Sequence, residues 1–531
     1  MIVAVSLAVL MLASGQTPPI AADPVETAAR PEPVDIFSIP PMVREPTEAE
    51  MADIERLVGE AEGARNAERF DEAIAKANEL AALSARTYGP RHPVTASSLN
   101  IAAQAYYARE DLDEAEAIFR DGLAIRRAAL GEAHPDVAES LNNLTAVTWS
   151  RGRYSEALEM QVQAVAVWEA ALGPNNRYVG EGLGNLARNY LMLDRYAEAE
   201  APARRSLEIA ERLYGPDDVR TAREMDALAE VWVNQGRYEQ TEALLLRGMG
   251  AFEAAGAQPS RDFGIMVNAL ADLRGRQGRY EEAADLYRRS TEIFQAVYGG
   301  RHSMTAATLK NTALALMELG RPARAEPLMR RSLSAYEQTF GATHPDTADT
   351  RARLAELLRQ QARASEAQAV AEKAVADLEA SVGVGHVQTA SARVILASIQ
   401  LDQGRVDEAV SGYERAAETM RRLFGEDSAQ TCWVQIQLAK ALIHAGRAKE
   451  AEGLTRAAMA FNQATFDADH ADLLEARALL VESLMRQGDL AEALSQTRLT
   501  PTGTLGAASQ RRARDLYRLK VDADWAVSER L

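Results

Sequence analysis

Apolar residues recur along this chain at intervals of three and four, in blocks separated by short polar or glycine-containing breaks, a pattern that predicts amphipathic helices throughout. Residues 132–171 show the unit. Ala138, Leu141 and Leu144 fall on one face of a first helix, and Pro135 sits in its first turn, where a missing N–H has no intrahelical partner. The pattern breaks at Gly152-Arg153-Tyr154 and resumes through Ala157, Leu158, Val162, Val165 and Trp168 to Leu172-Gly173. Gly173 is expected to close that second helix in the left-handed conformation. Each unit therefore reads helix, tight turn, helix, longer turn.

The unit recurs. Gly89, Gly131, Gly173, Gly215, Gly299, Gly341, Gly383 and Gly425 are spaced by 42 residues, with one doubled gap where Ala257 replaces glycine. The phase runs back to Thr47 and on to Asp467, and such fixed self-similarity is the mark of a solenoid. Leucine fills one column of the first helices (Leu144, Leu186, Leu228, Leu270, Leu354, Leu396, Leu438, Leu480). Alanine follows it in most units, and a second alanine column runs from Ala73 through Ala115, Ala157 and Ala199 to Ala493. Small side chains let the two helices of a pair approach closely, and stacking of neighbours completes a core that no single pair can bury.

Alanine early in the first helix, glycine at the turn and alanine early in the second helix resemble the tetratricopeptide repeat. The motif at 131–157, Gly-x-x-His-Pro followed by Leu-Asn-Asn-Leu and Gly-Arg-Tyr-x-Glu-Ala, is similar to the 42-residue repeats of kinesin light chains. The resemblance implies an all-α fold, a right-handed α-solenoid of about ten to eleven stacked helix pairs over residues 47–500. It also implies docking of peptides or proteins on a concave wall formed by the first helices. Three units depart from the pattern, at Ala257, at Gly320-Arg321-Pro322 and at Ala362-Arg363-Ala364. The asparagine pair is complete only at Asn142-Asn143, and no member survives beyond Asn311.

The two ends differ from the repeats. Residues 1–13 are apolar except for Ser6, too short a run to span a bilayer, and Ala13-Ser14-Gly15 offers small residues for cleavage. Residues 1–15 thus read as a signal peptide although no Lys or Arg precedes the apolar run, and the protein is expected to be periplasmic or secreted; it is cytoplasmic if this segment is not processed. Eight prolines in residues 16–46 predict an extended, disordered linker. After Pro501 the phase is lost, and residues 501–531 are expected to supply a capping helix near 507–519 and a tail; Arg511, Arg512 and Arg514 there read as a solvated face.

A formal charge of −18 argues against tracking a nucleic-acid backbone, and a single cysteine, Cys432, excludes intrachain disulfides and the common thiolate metal sites. Six of the seven histidines (His92, His134, His302, His344, His386, His470) occupy one repeat position, so they form a row rather than a converging site and read as turn-building residues. His444 reads as a helix-end residue. Gly180, Gly182 and Gly184 resemble a phosphate loop, but they lie inside a first helix with no strand before them. Arg153 with Glu156, Arg195 with Glu198 and Arg279 with Glu282 read as local pairs at the start of second helices. No enzyme, cofactor or metal site is expected.

What remains is the wall. Asn100, Gln104, Asn142, Asn143, Asn185, Arg188, Asn268 and Asn311 are the expected peptide-binding residues, joined there by Asp226, Glu230, Asp272, Lys310, Glu356 and Lys440. Asparagine offers both donor and acceptor to an extended backbone, though it can equally satisfy neighbouring turns. Acids outnumber bases among these positions, favouring a basic or neutral protein or peptide partner. The expected function is a non-enzymatic scaffold in the bacterial envelope; an architectural protein with no groove ligand, or the regulatory partner of a separate enzyme, stays open.

Overall fold

The computed structural model describes residues 32–39, 46–193, 195–465, 471–497 and 518–519. The signal-peptide reading, His470 and the arginine run near 511 lie outside them. So does most of the expected capping segment, of which Arg518 and Leu519 are helical and Leu519 packs against the apolar cluster around Leu480.

Among the described residues the chain forms twenty-two α-helices and no strand, arranged as eleven consecutive hairpins. In order they are α1 (Glu48–Asn66), α2 (Phe70–Tyr88), α3 (Pro93–Ala108), α4 (Leu112–Leu130), α5 (Pro135–Ser150), α6 (Tyr154–Leu172), α7 (Arg177–Met192) and α8 (Tyr196–Tyr214). Then follow α9 (Val219–Asn234), α10 (Tyr238–Ala254), α11 (Arg261–Arg276), α12 (Tyr280–Tyr298), α13 (Ser303–Glu318), α14 (Pro322–Phe340) and α15 (Pro345–Gln360). The last are α16 (Ala364–Ser381), α17 (Val387–Asp402), α18 (Val406–Phe424), α19 (Ala429–His444), α20 (Ala448–Thr465), α21 (Ala471–Gln487) and α22 (Leu490–Gln496). They divide into two compact units. One reaches to Leu273 and takes in Asp285–Leu309 and Ala335–Phe340; the other comprises Arg274–Ala284, Lys310–Ser334 and the chain from Gly341 onward.

Each hairpin is punctuated by the residues that its sequence repeats. The histidine column caps the first helices: Nδ1 of His92, His134, His302, His344 and His386 accepts the N–H two residues on, at 3.1–3.3 Å. Where histidine is missing, Asn176 and Asp218 do the same through a side-chain oxygen, and Ser428 accepts from Thr431 N. The column therefore satisfies helix N-terminal donors. A threonine three residues later ties the entry down, as when Thr95 Oγ1 donates to Gly89 O at 2.8 Å and Thr347 Oγ1 to Gly341 O at 2.9 Å.

The two glycine positions do different jobs. Gly152, in the tight turn, has φ 73° and closes α5 with a paired cap, Arg153 N to Thr148 O at 3.1 Å and Gly152 N to Trp149 O at 2.8 Å. The expected left-handed closure at Gly173 is corrected: its φ 84° and ψ 159° lie in the mirror-extended region, which only glycine occupies readily. That conformation turns the chain out of the second helix into the next hairpin. Glu68, Glu110 and Ala362 hold the tight-turn position without being glycine, at φ 57–67°. Ala362 keeps the same paired cap, Arg363 N to Leu358 O at 3.0 Å and Ala362 N to Arg359 O at 2.9 Å, so its only local penalty is the Cβ. Ala362→Gly is expected to stabilise the chain by about 1 kcal/mol in urea denaturation; an unchanged or lower midpoint would contradict this.

The alanine columns lie where helices meet. Ala73, Ala115, Ala157, Ala199, Ala283, Ala325, Ala367, Ala409, Ala451 and Ala493 are all 0% exposed, and Leu144, Leu228, Leu354 and Leu480 are buried beside them. Cys432 is buried in the same way, and His444 ends α19. Successive first helices also touch one another, α1 with α3, α7 with α9, α15 with α17 and α19 with α21, so within each unit they form an inner row.

One packed element lies inside the proline-rich stretch. Residues 32–39 carry a 3₁₀ turn, Ile36–Ser38, capped by Asp35, whose Oδ1 accepts from Phe37 N at 3.1 Å. Ile36 is only 2% exposed and joins the apolar core, with Val34 and Ile39 packed partly against it. Asn78 Nδ2 donates to Glu32 O at 2.8 Å and to Tyr106 Oη at 3.0 Å. Burying an isoleucine side chain is worth about 2–3 kcal/mol, and Ile36 is the one fully buried side chain of this segment.

Candidate functional site

The inner row of the unit reaching to Leu273 brings four of the expected wall residues together in pairs. Asn143 Nδ2 donates to Asn100 Oδ1 at 2.8 Å, and Asn185 Nδ2 donates to Asn142 Oδ1 at 3.1 Å. Both pairs join residues 43 apart, one more than the repeat, because adjacent first helices lie side by side with a one-residue offset. Asn100 and Asn143 are buried. Asn142 also accepts from Gln161 Nε2 at 3.1 Å, and the same nitrogen donates to Gly182 O at 3.1 Å. That backbone carbonyl fixes which end of the Gln161 amide faces the wall. Gln104 accepts from Arg65 Nη1 across α1 and α3.

The next rungs are charged. Arg188 Nη1 lies 3.4 Å from Asn185 Oδ1, and its guanidinium is 4.0 Å from Asp226 and 3.9 Å from Glu230. Asn268 Nδ2 donates to Asp272 Oδ2 at 3.0 Å, and Tyr287 Oη donates to the other oxygen of Asp272. Glu224 accepts from Ser206 Oγ, and Gly184 leaves the space for it, since a Cβ there would stand 2.9 Å from Glu224 Oε2. Burial pushes the carboxyls of Glu224 and Asp226 up, against the pull of Arg188. Glu181 is raised for the same reason. Arg188 thus faces several carboxylates, and the floor from α7 to α11 is acidic and poorly solvated.

Gln161 and Tyr287 belong to second helices, yet they reach the wall. Both occupy a column filled elsewhere by Phe119, Ala203, Leu245 and Met329, and Tyr413 in the same column bonds Ser398 at 2.8 Å. A polar residue in that mostly apolar column is the signal that sequence reasoning missed. Asn311 is buried in the other unit, where neighbouring Lys310 pairs with Asp349 at 2.9 Å, so neither resembles an open wall position.

Models of the tetratricopeptide repeat match residues 50–128, 102–170, 136–212, 178–254, 262–338, 305–380, 388–461 and 474–498. The chain belongs to the tetratricopeptide repeat family. No curated protein matches it. Among solved structures, it is similar to the nearly identical TPR-like repeats of a kinesin-light-chain-type protein from Podosopora anserina, at 18% identity over 42% of this chain and 97% of that one, with a TM-score of 0.33. It is also similar to BtubC (BKLC) from P. vanneervenii, at 22% identity over 44% of this chain and 92% of the other, with a TM-score of 0.37.

The remaining candidates have local roles in this tetratricopeptide chain. The five described histidines of the column serve as caps, and Gly180, Gly182 and Gly184 lie within α7. Arg153 pairs with Glu156 at 3.1 Å and Arg279 with Glu282 at 2.6 Å, half exposed, where such pairs contribute a few tenths of a kcal/mol. No described helix is long and apolar enough to cross a membrane.

Proposed function

We propose that this tetratricopeptide chain is a non-enzymatic scaffold that holds an extended, basic or neutral peptide segment along the first helices of the unit reaching to Leu273. The acidic floor carries the reading: Asp226 and Glu230 lie 4.0 and 3.9 Å from Arg188, Glu224 lies within the field of Arg188 and Arg223, and burial still pushes Glu224 and Asp226 toward the protonated form. A lysine or arginine from a partner relieves that imbalance, and the amides beside it hold backbone without dictating sequence. The apolar 1–13 stretch followed by Ala13-Ser14-Gly15 supports a place in the bacterial envelope.

Selection of a random-peptide display library on the full chain tests the first part. Lysine- and arginine-containing peptides are expected to be enriched, and Asp226→Asn with Glu230→Gln to weaken them at least tenfold and remove their salt dependence. Asn142→Ala and Asn185→Ala are expected to weaken binding about fivefold each, irrespective of peptide charge. Because burial raises the floor carboxyls, binding should fade on acidification before an ordinary carboxylate titrates. Enrichment of acidic peptides, or of none, refutes the reading and leaves an architectural role. Sequencing of the mature N-terminus tests the location: it should begin near Gln16, and a retained Met1 would count against export.

A further inference from the structure

The segment 32–39 lies on the outer side of the first two hairpins, independent of the inner wall. It is seated between α2, which holds Glu32 O through Asn78, and α4, with Leu99 of α3 beneath. The seat is incompletely filled. A cavity of about 370 Å³ remains between Pro33, Val34, Asp35, Ile36 and Phe37 on one side and Leu99, Ala117 and Ile118 on the other, rimmed by Asp113, Glu114 and Asp121. Ile36 is buried against this apolar floor, whereas Phe37, next to it, is half exposed. The charges are mismatched as well: Asp35, which caps its own turn, shares this space with Glu114 and Asp121 of α4, while Asp113 on the same rim is paired with Arg151.

We propose that this slot is a second peptide-binding surface, that residues 32–39 are its built-in and displaceable occupant, and that the partner it fits carries the same aliphatic pattern with a lysine or arginine where the chain has Asp35. The seated segment shows the chemistry the slot accepts: aliphatic side chains at the positions of Val34, Ile36 and Ile39, with a backbone carbonyl for Asn78. The unfilled volume has room for a longer side chain than aspartate. The rim supplies carboxylates for a cation at its end, so electrostatic complementarity selects the foreign segment over the resident one.

The test uses the full chain and two fluorescent peptides, one with the sequence of residues 32–39 and one carrying Asp35→Lys. Ile36→Asp in the protein unseats the resident segment without touching a helix, which unchanged helical circular dichroism will confirm. The lysine peptide is expected to bind the Ile36→Asp protein at least tenfold more tightly than the unaltered protein. It should also exceed the native-sequence peptide at low salt, the advantage shrinking as salt rises. Ala117→Arg in the Ile36→Asp background, at an exposed position on the slot floor, should abolish binding of both. Binding of neither peptide, equal binding to both proteins, indifference to Ala117→Arg, or no advantage for lysine would each overturn the proposal.

Discussion

Trp168→Ala is expected to lower stability by about 4 kcal/mol, with the damage confined to helices around α5–α7. Trp168 is 4% exposed, its Nε1 donates to Pro135 O at 3.1 Å, and Tyr178 stacks beside it with ring centroids 6.0 Å apart. α7 comes so close that a Cβ at Gly182 would stand 2.9 Å from the indole. One side chain therefore ties the third hairpin to the fourth, bridging the first turn of α5 and the glycines of α7. Removing it leaves a cavity and takes the indole donor away from Pro135 O. Repeats couple chiefly to their neighbours, so hydrogen exchange should show lost protection in α5, α6 and α7 while α1 and α2 keep theirs. Trp168→Phe should recover part of the loss by filling the space without the hydrogen bond. Gly182→Ala, harmful beside tryptophan, should become neutral or better once the indole is gone. A loss below about 1.5 kcal/mol, or one spread evenly over the unit, would contradict this account.

The second large effect is a dependence on acid. His302 is largely enclosed, its side chain 12% exposed, and its Nδ1 must be unprotonated to accept Met304 N at 3.2 Å. Burial, the main cause, lowers its pKa from the ordinary 6.5 to about 4; Arg261 pushes the same way, and a hydrogen bond with the Asn66 backbone opposes. Glu68, 3.5 Å from His302 Nε2, also opposes, but it is engaged by Ser303 N at 2.9 Å and burial outweighs it. The folded state thus binds its proton later than the unfolded chain does. The resulting stability is complete above pH 6.5 and is lost as pH falls toward 4, a difference of about 3 kcal/mol. His302→Asn keeps a capping acceptor and removes the titration. Its stability should match the parent at pH 7.5 and exceed it by about 2–3 kcal/mol at pH 4, measured by denaturation at each pH. Parallel profiles would refute the assignment. His344 is less suited to this test: its pKa falls to about 3, but Asp346, raised to about 6, gains stability over the acid range where His344 loses it.

The period was legible because every column solves the same local problem. A cap is needed at each first helix, so His, Asn, Asp or Ser recurs there; a close contact is needed inside each hairpin, so alanine recurs. Which glycine is left-handed was not legible, because both turn positions favour the same residue for different backbone angles. Nor was the seating of residues 32–39, where prolines announce an extended chain but do not tell whether Ile36 finds a partner. On the wall, sequence reasoning chose Asn142 and Asn185 without their bond, since a spacing of 43 is invisible to an eye aligned on 42. Gln161 escaped because it lies on the other helix of the hairpin.

The bond pattern around Asn142 also gives the wall a polarity. Its oxygen takes two protons, from Gln161 and Asn185, which occupies both lone pairs. What Asn142 can still offer a visitor is N–H. At that rung the wall therefore reads a guest's carbonyls and is blind to its amides, and a strand threaded there is expected to adopt the direction and register that turn an oxygen toward α5.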